Sequence, residues 1–241
     1  MKAIILAAGL GTRLRPITNS IPKCLVPING VPLLQLWLDK LVKLGVEEIL
    51  INTHYFSEKV EDFVACYKYR EIITLVNEST LLGTGGTLIT NSEYWQGSTT
   101  LVLHADNYCE DDLTGLLKAH HERPSNCDAT LLLFETNTPE NCGVVQLSNT
   151  GVVEKFYEKV PNPPCNLASG ALFVFSENVY EKYLSQFNSN HFYEISVDFV
   201  PLFINHIFTY KTPHTYVDIG TPYAYEQVQA QSKRASTLKL I

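Results

Sequence analysis

The 241-residue sequence contains no apolar run near the roughly 18 residues that a membrane-crossing helix needs, so a membrane partner is not expected. Its start, MKAIILAAG, passes straight from a strand-like run into a glycine loop, which leads to the expectation that no signal peptide is cleaved from it. The six cysteines, Cys24, Cys66, Cys109, Cys127, Cys142 and Cys165, include no C-x-x-C pair, so neither a zinc site nor a dithiol redox motif is indicated. They read as reduced thiols in a cytoplasmic protein. Excess positive charge is missing too: 18 Lys and Arg stand against 25 Asp and Glu, a formal net charge of −7. Binding a phosphate backbone needs clustered cations, so no nucleic-acid partner is expected. Any phosphate-binding site has to be local, and one stretch lacks acid altogether. Its first 25 residues hold Lys2, Arg13, Arg15 and Lys23 without one Asp or Glu.

What is present is the composition of a packed protein, 45% hydrophobic and 18% charged. Residues 3–6 read as a buried strand, and Gly9, Gly11 and Pro16 mark a long loop after it. Leu33, Leu34, Trp37, Leu38, Leu41 and Leu44 then recur at helical spacing up to Gly45. The pattern continues as strand 49–52, helix 57–67, strand 72–76, a glycine-rich turn at 83–86 and strand 100–103. Strands alternating with helices predict an α/β fold, a doubly wound and mostly parallel sheet flanked by helices, with ligands at the carboxyl ends of the strands. Strand-like runs at 129–134, 144–147, 152–156 and 170–175 extend the sheet. Helices are predicted near 177–186, 195–205 and 222–233. Glu110, Asp111 and Asp112 read as an acidic helix start, and His120 and His121 as surface residues of that helix. Tyr and Phe residues toward the C-terminus read as core. No repeat, linker or low-complexity stretch appears, so residues 1–241 read as a single domain.

Two glycines alone are compatible with an ordinary strand-to-helix turn. The chemistry attached to them says more. A loop of this kind aims backbone N–H groups at a phosphate, and glycine lets the backbone approach. Here Gly9-Leu10-Gly11-Thr12 is followed at once by Arg13 and Arg15, with Pro22-Lys23 further along the same acid-free segment. Fixed cations converging on a triphosphate are what phosphoryl chemistry requires. Neither the Rossmann G-x-G-x-x-G nor the Walker lysine spacing occurs there.

The segment LAAGLGTRLRPITNSIPKCLVPINGVPLL, residues 6–34, closely resembles the signature of the sugar-1-phosphate nucleotidyltransferase (nucleoside-diphosphate-sugar pyrophosphorylase) family. Matches continue along the chain: L-G-T-G-G at 82–86, L-H-A-D ending at Asp106, F-Y-E-K at 156–159 and V-D-I-G-T-P at 217–222. The resemblance implies the Rossmann-like nucleotidyltransferase fold and a residue-by-residue set of roles. Leu6, Ala8, Gly9, Gly11 and Thr12 wrap the nucleotide, and Gly83 and Thr84 belong to the nucleobase and sugar loop. Arg13 holds the triphosphate and Lys23 bridges the phosphates. Gly143, Glu158 and Lys159 meet the sugar and its phosphate, while Asp106 and Asp218 bind the metal. Two departures stand out. Val160 replaces a usual proline after Glu158-Lys159, and His104-Ala105 precedes Asp106 where glycine is common before the aspartate. His104 reads either as a substrate contact or as a packed strand-end residue.

Asp106 and Asp218 each end a strand-like run before a turn, and carboxylates meeting on one rim of a sheet suit Mg²⁺. The other reading of each is a cap on the following helix. With Mg²⁺ as cofactor, the expected reaction joins a nucleoside triphosphate to a sugar 1-phosphate and releases pyrophosphate. L-G-T-G-G looks more like the mannose- and heptose-1-phosphate guanylyltransferase branch, which points to GTP, with UTP, dTTP and CTP left open. Two other functions stay open: a cytidylyltransferase for a non-sugar phosphate, and a catalytically silent nucleotide-binding regulatory subunit. The chain ends soon after the Asp218 motif, giving the expectation of no appended acyltransferase domain. Related enzymes are often dimers or tetramers, so a homo-oligomer is also left open.

Overall fold

The computed structural model describes the backbone of residues 1–238 and the side chains of residues 1–232. After β1 (Lys2–Leu6), three tight turns (Thr12–Leu14, Ile17–Asn19, Lys23–Leu25) lead to a short hairpin, β2 (Pro27–Ile28) and β3 (Val31–Pro32). Next come α1 (Leu33–Lys43), β4 (Glu48–Thr53), α2 (Ser57–Ala65), β5 (Ile73–Asn77), α3 (Gly83–Thr90), α4 (Ser92–Trp95) and β6 (Thr100–His104). The remainder is β7 (Asn107–Cys109), α5 (Thr114–His121), β8 (Ala129–Glu135), β9 (Gly143–Leu147), β10 (Val153–Glu158), β11 (Leu167–Phe175), β12 (Ile207–Lys211), β13 (Tyr216–Asp218) and α6 (Pro222–Leu238). Two compact units result. The first comprises Met1–Ile4, Leu81–Leu103 and Asp111–Pro213; the second comprises Ile5–Thr80, His104–Glu110 and the chain from His214 onward.

In the second unit β1 neighbours β4, and β4 pairs in parallel with β5 from Ile49↔Ile73 to Thr53↔Asn77. Its core is supplied by α1, whose Leu33, Leu34, Trp37, Leu38 and Leu41 are all buried, as the helical spacing predicts. The Trp37 indole N–H donates to the Asn107 carbonyl at 2.8 Å, so α1 is fastened to the residue beside Asp106. A separate two-stranded antiparallel ladder joins β7 to β13, with Asp218 opposite Asn107.

In the first unit the strand order is β10-β9-β11-β6-β1, with β8 beside β11 and β12 beside β8. Strand β11 is antiparallel to β6, β8 and β9, and β12 runs parallel to β8. The α/β class holds, and the strand-like runs beyond residue 126 extend the sheet as predicted. At the start of β8, Asp128 accepts hydrogen bonds from Lys182 (2.6 Å), Tyr183 (2.6 Å) and Asn178 (3.1 Å). Burial pushes the Asp128 carboxyl up, but those three bonds and the lysine charge outweigh it and hold it below its usual range.

Several expectations need correction. Residues 83–86 are not a free turn but open α3, despite the poor helix propensity of glycine. The predicted helices near 177–186 and 195–205 are reduced to wide turns over Tyr180–Leu184 and Ile195–Phe199 and a tight turn at Val200–Phe203. Pro201 cannot donate the backbone bond that a continuing α-helix needs. Not all late aromatics are core: Phe203 is fully buried, whereas Phe192 and Tyr223 are exposed. Asp111 accepts the Leu113 N–H just before α5, and Asp112 accepts the Thr114 N–H that opens it.

His120 is buried rather than on the surface, with Nδ1 3.0 Å from the Thr130 hydroxyl. Burial first, then the nearby Arg123 and His121, push its imidazole down from 6.5 to about 4. Between those values an unfolded chain binds a proton that the folded one refuses, so this contribution to stability is complete above 6.5 and is lost on acidification toward 4. The Asp128 contribution is lost only at lower pH, below its ordinary 3.8. We therefore expect His120→Gln to flatten the fall in urea midpoint between pH 6.5 and 4 and to leave the steeper loss below it; an unchanged slope in that window argues against a neutral buried His120.

Candidate active site

The loop after β1 is fixed by its own polar contacts. The Ala7 N–H donates to Asn52 Oδ1 (2.7 Å), and Asn52 Nδ2 donates to Glu78 Oε1 (2.8 Å), so the ends of β4 and β5 hold the first residues of the loop. Leu6 and Ala8 are buried, while Gly9, Thr12 and Arg13 are exposed. Gly11 has φ +64°, a left-handed backbone, and the Thr18 hydroxyl donates to its carbonyl at 2.7 Å. A Cβ there would meet Thr18 Cγ2 at 3.0 Å and Lys23 Cβ at 3.3 Å. Glycine is thus required both by conformation and by the close passage of the Lys23 segment.

Lys23 is only 7% exposed, and its ammonium donates to Asp106 Oδ2 at 2.5 Å and to Asp218 Oδ1 at 3.1 Å. Arg13 Nη2 lies 3.5 Å from the other Asp218 oxygen. Backbone geometry explains the meeting. The Ala105 N–H bonds the Leu6 carbonyl (3.0 Å), the Ile219 N–H bonds the Asp106 carbonyl (3.3 Å), and the β7–β13 ladder sets Asp218 across from Asn107. Asp218 therefore reaches the site on an antiparallel ladder, not at the end of a strand parallel to β6. Helix capping is also ruled out for both: β7 follows Asp106, and the Thr221 hydroxyl receives the Ala224 N–H at the start of α6.

Burial drives the Asp106 carboxyl upward, but the Lys23 charge, the neighbouring His104 and the Lys23 hydrogen bond prevail and hold it below the usual carboxylate range. Two cations and two carboxylates balance. Among the described residues no group of three or more His, Cys, Asp or Glu side chains is arranged to hold a metal. Two carboxylates that already share one cation suit an ion taking its remaining ligands from water and phosphate. Lys2 and Arg15 are the other two cations of the acid-free segment. Lys2 belongs to the first unit, bonded to the Tyr94 carbonyl at 2.7 Å; Arg15 is exposed.

The other predicted residues lie in the first unit. Gly143 faces Glu158 across the β9–β10 ladder, and a Cβ on it would strike the Phe156 ring and approach Glu158 Oε2 at 2.8 Å. Lys159, with φ +47°, pairs with Glu158 at 3.2 Å and is largely exposed. Gly83 and Thr84 form the first turn of α3, and the Thr84 hydroxyl donates to Glu194 at 2.6 Å.

A family model described as nucleotidyl transferase matches residues 2–235. The chain belongs to the nucleotidyl transferase family. Among relatives of this family member, a UTP–glucose-1-phosphate uridylyltransferase of Haloferax volcanii is 32% identical over 202 residues, covering 81% of each chain. A mannose-1-phosphate guanylyltransferase of Mycobacterium tuberculosis is 32% identical over 184 residues, covering 75% of this chain and 50% of its own. In structure, HddC from Yersinia pseudotuberculosis, solved in complex with GMP-PN, superposes with a TM-score of 0.77 at 25% identity, covering 95% of this chain and 98% of that one. The chain spans between 41 and 63% of the length of four of the curated relatives it matches.

Sequence reasoning missed Asn52, Glu78, Gly220 and Glu194. An asparagine closing the apolar run of β4 was a readable signal for Asn52; nothing local marked Glu194. A Cβ on Gly220 would sit 2.9 Å from both Arg13 Nη2 and Asp218 Oδ1. Those are movable side-chain ends, so Gly220→Ala in this nucleotidyl transferase family member is expected to shift the thermal midpoint little while lowering nucleotidyl transfer by about tenfold or more, the scale of a small misplacement of reacting groups. Wild-type turnover in a folded Gly220→Ala protein would detach Asp218 from the chemistry.

Proposed function

We propose that this chain transfers a nucleoside monophosphate from a nucleoside triphosphate, GTP in the favoured case, to a sugar 1-phosphate of the mannose or heptose type, forming a nucleotide sugar and pyrophosphate. The observation that carries the proposal is the buried Lys23 ammonium shared by Asp106 and Asp218 beside the glycine loop and Arg13. Both substrates are anions, and a chain of net charge −7 must neutralise them locally.

In this reading Asp106 and Asp218 would hold Mg²⁺, which would supply charge stabilisation for the reacting phosphates. The backbone of residues 8–12 wraps the triphosphate, and Arg13 and Lys23 offset its charge. Lys159, with its partner Glu158, holds the sugar phosphate. An anionic oxygen of that phosphate attacks the α-phosphorus. The new P–O bond forms as the bond to the β-phosphate breaks, and the electron pair leaves with pyrophosphate. The attacking oxygen is already ionised, so no general base is needed and catalysis is positioning and electrostatics.

The L-G-T-G-G loop, the mannose-1-phosphate guanylyltransferase relative and the GMP-PN complex of HddC support guanine. One observation favours a second reading, UTP with glucose 1-phosphate: the Haloferax uridylyltransferase matches over 81% of both chains. A matrix of GTP, UTP, dTTP and CTP against several sugar 1-phosphates, read by pyrophosphate release with and without Mg²⁺, separates them. The expected result is Mg²⁺-dependent release, greatest with GTP, and a loss of about 10²-fold or more in Asp106→Ala. Silence across the matrix would remove the transferase reading.

A further inference from the structure

Lys23 and Asp218 are joined directly by their ion pair, and the segments that carry them meet a second time through contacts that involve no charge. Beyond Lys23 the chain closes a tight turn with the Val26 N–H on the Lys23 carbonyl (3.2 Å), and both Leu25 and Val26 are buried. The position of Pro27 is therefore passed back to Lys23 with little slack. Pro27 opens the β2–β3 hairpin, whose turn residues Asn29 (φ +49°) and Gly30 (φ +86°) have the left-handed backbone that a tight two-residue hairpin turn demands. This hairpin is poor in bonds of its own. It pairs only two residues on each strand, and at its open end Pro27 faces Pro32, neither of which has an N–H to donate.

Helix α6, which begins four residues after Asp218, supplies what the hairpin lacks. The Pro27 carbonyl accepts from the Tyr225 hydroxyl and from Gln229 Nε2, each at 2.8 Å. Gln229 Oε1 accepts the Asn29 N–H at 2.8 Å, and Gln229 Nε2 also donates to the Tyr225 hydroxyl oxygen at 2.6 Å. Both polar atoms of the Gln229 side chain are thus engaged, and the Tyr225 hydroxyl serves as donor and acceptor at once.

We propose that Gln229 and Tyr225 are positioning residues for nucleotidyl transfer, a clamp that holds the segment of Lys23 against the segment of Asp218. The proposal rests on the transfer reading above, in which those two side chains meet the reacting groups. A second, neutral link has a chemical reason. The direct link is an ion pair, and an arriving triphosphate and its cation compete for both partners. Bonds among an amide, a phenol and a backbone carbonyl are drawn to neither, so they keep the two backbones in place while the ion pair is exchanged for substrate contacts. A clamp of this kind acts on the geometry of the reacting groups, and its loss falls on kcat rather than on KM.

The test measures kcat and the KM for each substrate in wild type, Gln229→Ala, Tyr225→Phe and Tyr183→Phe, using the nucleotide and sugar 1-phosphate that wild type turns over best. All are assayed well below their thermal midpoints. Tyr183→Phe removes a hydrogen bond from Asp128 in the first unit and reports what lost stability alone does. We expect Gln229→Ala to lower kcat by about tenfold or more, the scale of a small misplacement of reacting groups, with both KM values within about twofold of wild type. Tyr225→Phe, which removes one of the two donors to Pro27, should lose about threefold or more. Tyr183→Phe should lower the midpoint and keep its kcat. A wild-type kcat in folded Gln229→Ala overturns the clamp, and so does a loss carried by KM or an equal loss in Tyr183→Phe. If Gln229→Ala does not fold, Tyr225→Phe decides by the same criteria. An active wild type that Gln229→Ala matches removes the clamp alone; a wild type inactive with every nucleotide removes the transfer reading and this inference together.

Discussion

The ammonium of Lys23 is the constraint around which the second unit is organised. Taking an amine to 7% exposure costs several kcal/mol unless counter-charges meet it, and two do. They come from positions 83 and 195 residues away. Three segments of chain are therefore committed to one point. The neighbouring contacts then have a common purpose: Gly11 lets the Lys23 segment pass close, Trp37 fastens α1 to Asn107, and the β7–β13 ladder carries Asp218 to Asp106. Losing one carboxylate would leave the buried ammonium half-compensated.

The same cluster is suited to receive anions. Lys23 and Arg13 cancel Asp106 and Asp218, so the group carries no net charge. Its members are held unequally. Lys23 is buried and doubly bonded, whereas Arg13 is an exposed partner 3.5 Å from a half-exposed Asp218, and such surface pairs contribute little. Arg13 can leave Asp218 for a phosphate at small cost, while the Lys23 and Asp106 geometry is set in advance. Preorganisation of that kind is what a reaction without a general base depends on.

Much of this was legible in the sequence because it was written in periodicity or in residue type. The 3.6-residue spacing of Leu33 through Leu41 gave α1, and the acid-free stretch singled out Arg13 and Lys23. What stayed hidden was long-range. No spacing indicates that Asp218 pairs across from Asn107, or that Lys23 joins Asp106 to Asp218. His120 looked like a surface residue because its helix is amphipathic and its neighbour His121 is exposed; only the fold places its ring against Thr130. Residues 83–86 looked like a turn because glycine is a poor helix former. Closely packed backbone at 191–195 overrides that propensity.

The most direct measurement is the affinity of the protein for Mn²⁺, used in place of Mg²⁺ and followed by electron paramagnetic resonance with a non-hydrolysable nucleoside triphosphate bound. A carboxylate pair that shares a cation predicts that Asp106→Ala and Asp218→Ala each weaken Mn²⁺ binding by about tenfold or more, the scale of a lost metal-site contact. Unchanged affinity in both variants would contradict it.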